Sequence, residues 1–421
     1  MRPTPLILAA AIALCPVAAG AQEVMSATGA AGKVLEDPAE NGAFAEAMAV
    51  PDARGRSAAL QAFAQRYPYS PHMLEASQRQ LADDQQINDS ADAERAAKRI
   101  VQIAPDDVPA LAILVYLARM HASGLPNGDA RTALADEAAA DAGRGLTALP
   151  AWPGPSGMQP ADVETLRGRL GAIFYAGLGF ERLAKADYQV ARYYYLKAVA
   201  IDPADVQTDY ELALVDLQAK PLDPEGFWWA AKAYLLAGAA NAPASQAAIA
   251  PLARDSYRSY HGGEDGWADL LGEVSGQSTP PPGFTIKAAP GPAEIAVQAV
   301  QDNDVSSLTV PDWEFILSYR DASDANAAAA AKVWASITTG ADGAPARLKL
   351  PVKIISAGRG TLEAAITDDN QQAGRVDLHV ILAAPLSRPP APGTMVTVIG
   401  LPSTYTPQPF AFTLKDAQIA G

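Results

Sequence analysis

The sequence predicts a mainly α chain, a stack of paired helices that closes in a small five-stranded β-barrel, and three observations predict it. Between Gly42 and Val274 apolar residues recur at three- and four-residue spacing with short Pro, Gly and Asp breaks, the pattern of successive amphipathic helices. A proline-dense stretch follows, Gln277-Ser-Thr-Pro-Pro-Pro-Gly and then Ala289-Pro-Gly-Pro. From Leu348 the period changes from helical to alternating, which is the mark of half-buried strands.

At the N-terminus, Met1-Arg2 precedes an apolar run, Leu6 to Leu14, that is too short to span a bilayer, and Ala19-Gly20-Ala21 supplies a small-x-small cleavage site. This predicts a signal peptide over 1–21 and a periplasmic or secreted mature protein; a buried N-terminal helix is the alternative. Cys15 is the only cysteine and falls inside that segment, with Leu14 before it and Pro16 after it, a poor context for lipid attachment. The mature chain then has no thiol for a disulfide, a nucleophile or a metal.

The 421 residues carry a formal net charge of -15. An acidic surface repels phosphate backbones, so nucleic acid is not an expected partner. No further run is apolar enough to span a membrane.

Residues 22–41 read as a flexible lead-in. Gly32-Lys33 resembles the end of a phosphate loop, but Ala27 stands where the first glycine is required.

Helical repeats are expected over 42–275, and the clearest unit runs from Ala172 to Asp205. It resembles the tetratricopeptide repeat, whose unit is about 34 residues long. Tyr175, Leu178 and Gly179 match the motif's first helix, Ala191, Tyr195 and Ala198 its second, and Pro203 its close; Arg182 departs where an aromatic is usual. Gly179 and Ala191 should let two helices approach while Tyr175 and Tyr195 fill the space beside them. Weaker copies include Ala93, Ala97, Ile100 and Pro105, and Ala230, Tyr234 and Ala237. A generic helical bundle is the alternative, because alanine-rich chains give chance matches.

The resemblance implies a groove lined by the first helices of the repeats. Ala176 and Phe180 fall where repeat domains that clamp a peptide carboxylate carry Lys and Asn, so a groove ligand here would be held by apolar and shape contacts. Tyr193-Tyr194-Tyr195 and Phe227-Trp228-Trp229 put adjacent rings on different sides of a helix, with packing against the next repeat the favoured role. Tyr257 to Trp267 reads as a cap over the last repeat.

Residues 276–292 are read as a semi-stiff linker and 293–344 as a short helical segment, with helices over Glu294–Asn303 and Ala322–Ile337. The assignment of Pro311-Asp312-Trp313-Glu314-Phe315-Ile316-Leu317 between them stays open. Over 345–421, strands are expected at Pro351-Val-Lys-Ile-Ile, Thr361 to Ile366, Val376 to Leu382, Met395 to Ile399 and Phe410 to Leu414. Pro392 to Gly400, followed by Phe410 to Ala417, resembles the closing strands of OB-like domains in bacterial envelope proteins. The stretch from Trp313-Glu314-Phe315-Ile316-Leu317 through Asp368-Asp369-Asn370-Gln371-Gln372 to the C-terminus is similar to the end of a family of exported bacterial tetratricopeptide-containing proteins. That resemblance covers about the last quarter of the chain well and implies an architecture without a known chemistry.

No catalytic, cofactor or metal residues are expected. His72, His121, His261 and His379 are scattered, with no i, i+4 pair, no Gly-x-Ser-x-Gly elbow and no His-Glu-x-x-His. Gly177-Leu-Gly begins like a dinucleotide fingerprint but meets Arg182 at the third glycine; Asp368-Asp369-Asn370 reads as a turn. The leading expectation is therefore a non-enzymatic scaffold that binds envelope proteins or peptides through the repeat groove. A second reading has the barrel bind an oligosaccharide or another polymer, and a third is a hydrolase assembled from distant side chains.

Overall fold

The computed structural model describes residues 37–340 and 343–420. The expected signal peptide, with Cys15, and Gly32-Lys33 lie outside the described residues. The chain divides into two compact units, Met1–Ala288 and Ala289–Gly421.

The first unit is a succession of antiparallel helical hairpins. These are α1 (Pro38–Met48) with α2 (Ala53–Arg66), α3 (Met73–Gln86) with α4 (Ser90–Ile103), and α5 (Val108–Ser123) with α6 (Asp129–Ala148). Then come α7 (Pro160–Ala184) with α8 (Tyr188–Ile201), and α9 (Val206–Gln218) with α10 (Glu225–Ala239). The first three hairpins begin at Pro38, Met73 and Val108, close to a repeat of about 34 residues. The spacing widens afterwards because α6 has 20 residues and α7 has 25. Helix α1 starts inside the segment expected to be a flexible lead-in, because Asp37 accepts the Ala39 N–H at 2.9 Å and Pro38 takes the first helical position.

Aspartate punctuates the array. Asp52, Asp89, Asp107, Asp187 and Asp205 each cap a helix by accepting a first-turn N–H, a contribution of about 1 kcal/mol apiece. The chain reverses after α3, α7 and α10 through Asn88, Ala186 and Asn241, all in the left-handed region with φ of 56°, 57° and 52°. Asparagine tolerates that conformation better than alanine does.

Each hairpin packs on the next, and α5 also touches α7 while α7 touches α9. This is the layering of a tetratricopeptide-like solenoid, with the largest core around Tyr195, Leu212, Phe227, Trp228 and Trp229. The array ends in α11 (Pro243–Ala250), a π turn over Pro251–Asp255, α12 (Ser256–His261) and α13 (Trp267–Gly276). Tyr257 lies edge-on to Phe227 and 5.4 Å from Trp267, and its hydroxyl donates to the Asp265 carbonyl at 2.7 Å, closing the last apolar face. The proline-dense stretch has no regular structure, yet Phe284 and Ile286 pack against the same core.

In the second unit, α14 (Pro292–Asp302), α15 (Val310–Ser318) and α16 (Asp324–Thr338) share a core of Ala296, Val300, Ile316, Leu317, Val333 and Ile337. The interval left open by the sequence is therefore helical. A capping box starts α15: Asp312 Oδ2 accepts the Thr309 N–H at 2.8 Å and the Thr309 hydroxyl at 2.6 Å.

The barrel is built of β1 (Leu348–Ala357), β2 (Thr361–Ala365), β3 (Leu378–Leu382), β4 (Met395–Thr406) and β5 (Ala411–Ala420). It closes in the order β1-β2-β3-β5-β4, with β4 returning to β1 and β3 parallel to β5, a five-stranded arrangement of the OB type. Leu350, Val352 and Ile354 on β1, Leu362 and Ala364 on β2, Leu378 and Val380 on β3, and Phe412 and Leu414 on β5 fill its interior. A register shift between Ile354 and Ser356 helps β1 to bend between its two neighbours. Asp368-Asp369-Asn370 is not a turn but the first part of α17 (Asp368–Ala373), which ends at Gly374 with φ 64°.

Candidate functional site

The central hairpin α7–α8 contains the residues singled out from the repeat motif. Gly179 is required by contact: a Cβ there would stand 2.9 Å from two carbon atoms of the Tyr195 ring. Ala191, Tyr195 and Ala198 are buried beside it, Leu178 and Tyr175 are half-buried, and Pro203 sits exposed in the turn between α8 and α9. Gly177 faces the other way, where a Cβ would meet Val115 of α5 at 2.6 Å. The two glycines thus serve helix contacts on opposite sides of α7, and no nucleotide loop is formed.

Ala176 and Phe180 do not line a groove. Each is 1% exposed; Ala176 lies in the core with Tyr195 and Leu212, and Phe180 packs on Ala122 of α5 and on Ala135 and Ala138 of α6. The long α6 covers this side of α7, with the Arg131 guanidinium 5.5 Å from the Phe180 ring centre. The absent carboxylate clamp is replaced by helix packing.

What the hairpin does expose lies on α8. Val190, Tyr193 and Ile201 are 37%, 54% and 41% exposed at positions that share one face of a helix. Tyr194 lies 5.3 Å from Tyr193, and the Lys197 ammonium stands 4.6 Å from the Tyr193 ring centre and 5.1 Å from that of Tyr175 on α7. A hydrogen bond to Tyr193 raises the Lys197 pKa, and among the described residues Lys197 forms no ion pair with a carboxylate. The result is an apolar stripe with one cation held among aromatic rings.

The interior of the same unit carries charge. Arg119, 2% exposed, donates to Glu211 at 2.7 Å and to the Thr208 hydroxyl at 3.2 Å. Burial opposes its charge, and Glu211 and Asp205 outweigh that effect, so its pKa rises. Burial, and then the charge on Glu211, hold the Tyr195 hydroxyl well above its ordinary range. Asp209 is fully buried 3.6 Å from the Lys232 ammonium; burial pushes its pKa up to about 8 against the pull of Lys232. Asp216 is raised to about 7 by burial although Arg192 donates to it at 2.9 Å. These groups tie α5, α8, α9 and α10 to one another.

Neither a family model nor a curated protein matches the chain. Among solved structures, that of PilW, described as a widely conserved type IV pilus biogenesis factor, is similar over 57% of this chain and 100% of its own, at 15% identity and a TM-score of 0.29.

The barrel presents a different surface. Tyr405 turns to the helices of its own unit, 4.8 Å from Trp334, and Phe410, with Phe412 of the barrel core, lines an apolar recess shared with Trp313 and Ile337. They are not a platform for stacking a polymer. On β2 and β3, Glu363 and His379 pair at 2.5 Å. Among the described residues, no three His, Cys, Asp or Glu side chains come together as a metal site, and no helix is long and apolar enough to cross a membrane.

Sequence reasoning missed Arg119, Asp209, Glu211, Asp216 and Lys232. Two of them carried a signal, since Arg119 closes an apolar run from Leu111 to Ala118 and Lys232 follows Phe-Trp-Trp-Ala-Ala. A charge inside such a run implies a partner from another element.

Proposed function

We propose that the chain is a non-enzymatic scaffold of the bacterial envelope that binds partner proteins through its helical-repeat unit. The observation that carries this reading is the exposed stripe of α8, where Val190, Tyr193 and Ile201 share a face with Lys197, which among the described residues pairs with no carboxylate. Tyrosine and apolar side chains give large contact area at low entropic cost, and a cation among rings adds direction. The fit is to a partner surface with apolar side chains around an acidic group. Export is supported by the signal-like segment ending at Ala21. A non-enzymatic role is supported by the use of the buried polar groups as ties between neighbouring helices.

The test is a photo-activated cross-linker placed at Tyr193 and, as a control, at the exposed Glu164 of α7, in the full chain in its native envelope. Discrete protein adducts from position 193 that vanish on Ile201→Asn are expected. The same adducts from both positions, or none from 193, would overturn the reading.

A further inference from the structure

The stretch between α13 and Ala288 holds to α10 and α12 in the manner of a bound peptide. It runs Gln-Ser-Thr-Pro-Pro-Pro-Gly-Phe-Thr-Ile-Lys from Gln277 to Lys287. Gly283, with φ 78°, follows Pro282 in a turn closed by the Phe284 N–H donating to the Pro281 carbonyl at 3.0 Å, the geometry that a Pro-Gly pair favours. Beyond the turn the chain forms neither helix nor strand. Phe284 and Ile286 point inward and are half-buried, while Thr285 and Lys287 point outward and are exposed.

Two hooks hold the main chain at either end of these anchors. The Lys232 ammonium on α10, 5% exposed and 5.2 Å from the Trp229 ring centre, donates to the Ser278 carbonyl at 2.8 Å. On α12, His261 Nδ1 donates to the Lys287 carbonyl at 2.7 Å. Between the hooks, the Phe284 ring stands edge-on to Trp228 of α10 at 5.3 Å. Main-chain carbonyls held by fixed donors, with alternate side chains seated on a ring-lined surface, are how folded domains bind extended peptides. A passive linker needs neither a nearly buried ammonium that reaches past Asp209 to a backbone oxygen nor inward anchors in alternation.

We propose that this face of α10 and α12 is a binding site for extended, proline-rich peptides with a Phe-x-Ile pair, and that Ser278–Lys287 is its resident, autoinhibitory occupant. A partner segment of the same pattern displaces it. None of its residues belongs to the Tyr175–Tyr193–Lys197 group, so the two surfaces stand or fall separately. The tether gives the resident segment an effective concentration of order millimolar, so an outside peptide binds the intact chain weakly.

The test uses the full chain and a fluorescein-labelled peptide of the sequence Gln277–Lys287, with anisotropy as the readout. Phe284→Ala/Ile286→Ala removes the resident anchors, and the peptide is expected to bind that variant about tenfold or more tighter than the unaltered chain. The same peptide with serine at both anchor positions should not bind, and adding Lys232→Met to the variant should weaken binding. Equal binding to variant and unaltered chain, or no preference for the anchored peptide, would overturn the proposal. Should the double variant lose its helical circular dichroism, Phe284→Leu takes its place, with an affinity expected between the two and equality with the unaltered chain as the refutation.

Discussion

Glu314 on α15 and Asn370 on α17 meet at 3.0 Å across 56 positions of sequence, and the same Asn370 amide nitrogen reaches Asp377 Oδ2 at 2.8 Å. Asp377 Oδ1 also accepts the Ile366 N–H at 2.8 Å. One side-chain amide thus serves two carboxylates, and it ties the helical segment of the second unit to its barrel.

Asn370→Ala strips both carboxylates of that donor and should cost about 2–3 kcal/mol in urea unfolding followed by tryptophan fluorescence. Asn370→Asp should cost more than Asn370→Ala, because three carboxyl groups would then share one site. A change below about 0.5 kcal/mol for Asn370→Ala would remove the amide from any structural role.

Arg119→Met leaves Glu211 buried without its partner and should cost about 3–5 kcal/mol. The double change Arg119→Met/Glu211→Leu should recover most of that loss, since paired apolar replacements of buried ion pairs are often neutral. Strictly additive losses in the double-mutant cycle would show that the two do not interact.

Burial raises Asp209 to about 8 and Asp216 to about 7, against 3.8 for a free side chain. A carboxyl whose pKa is higher folded than unfolded stabilises the fold fully below its unfolded value, and that contribution is lost as pH rises through the folded value. The melting temperature of the first unit's transition should therefore climb as pH falls from about 8.5 to 5.5. Asp209→Asn, fixed neutral, should flatten the upper part of that slope; an unchanged slope would deny the carboxyl its raised pKa.

Two substitutions probe the central hairpin in opposite directions. Gly179→Ala drives a methyl into the Tyr195 ring and should cost about 1–3 kcal/mol. Ala186→Gly, at a φ of 57°, relieves a left-handed alanine and should add up to about 1 kcal/mol. Thermal melts that rank the two variants the other way round would contradict the packing described for α7 and α8.

The strands were legible because a narrow barrel leaves only two directions for a side chain, so Leu350, Val352 and Ile354 alternate cleanly with Lys349, Pro351 and Lys353. The helices were legible from their apolar spacing and their aspartate starts. Phe180 was misread because a single-repeat template treats every first helix alike, whereas here α6 lies over that side of α7 and turns a surface position into core. The partners of Arg119 could not be seen, since the Glu211 contact spans 92 positions. The proline-dense stretch was half legible: proline excludes regular structure, but docking was written in the alternation of Phe284 and Ile286.

Because β4 returns to β1, every strand of the barrel has a neighbour on both sides. Among the described residues the barrel leaves no row of bare amides to recruit a strand from another molecule. The protein can therefore be concentrated without an exposed sheet edge in the described barrel to seed fibres.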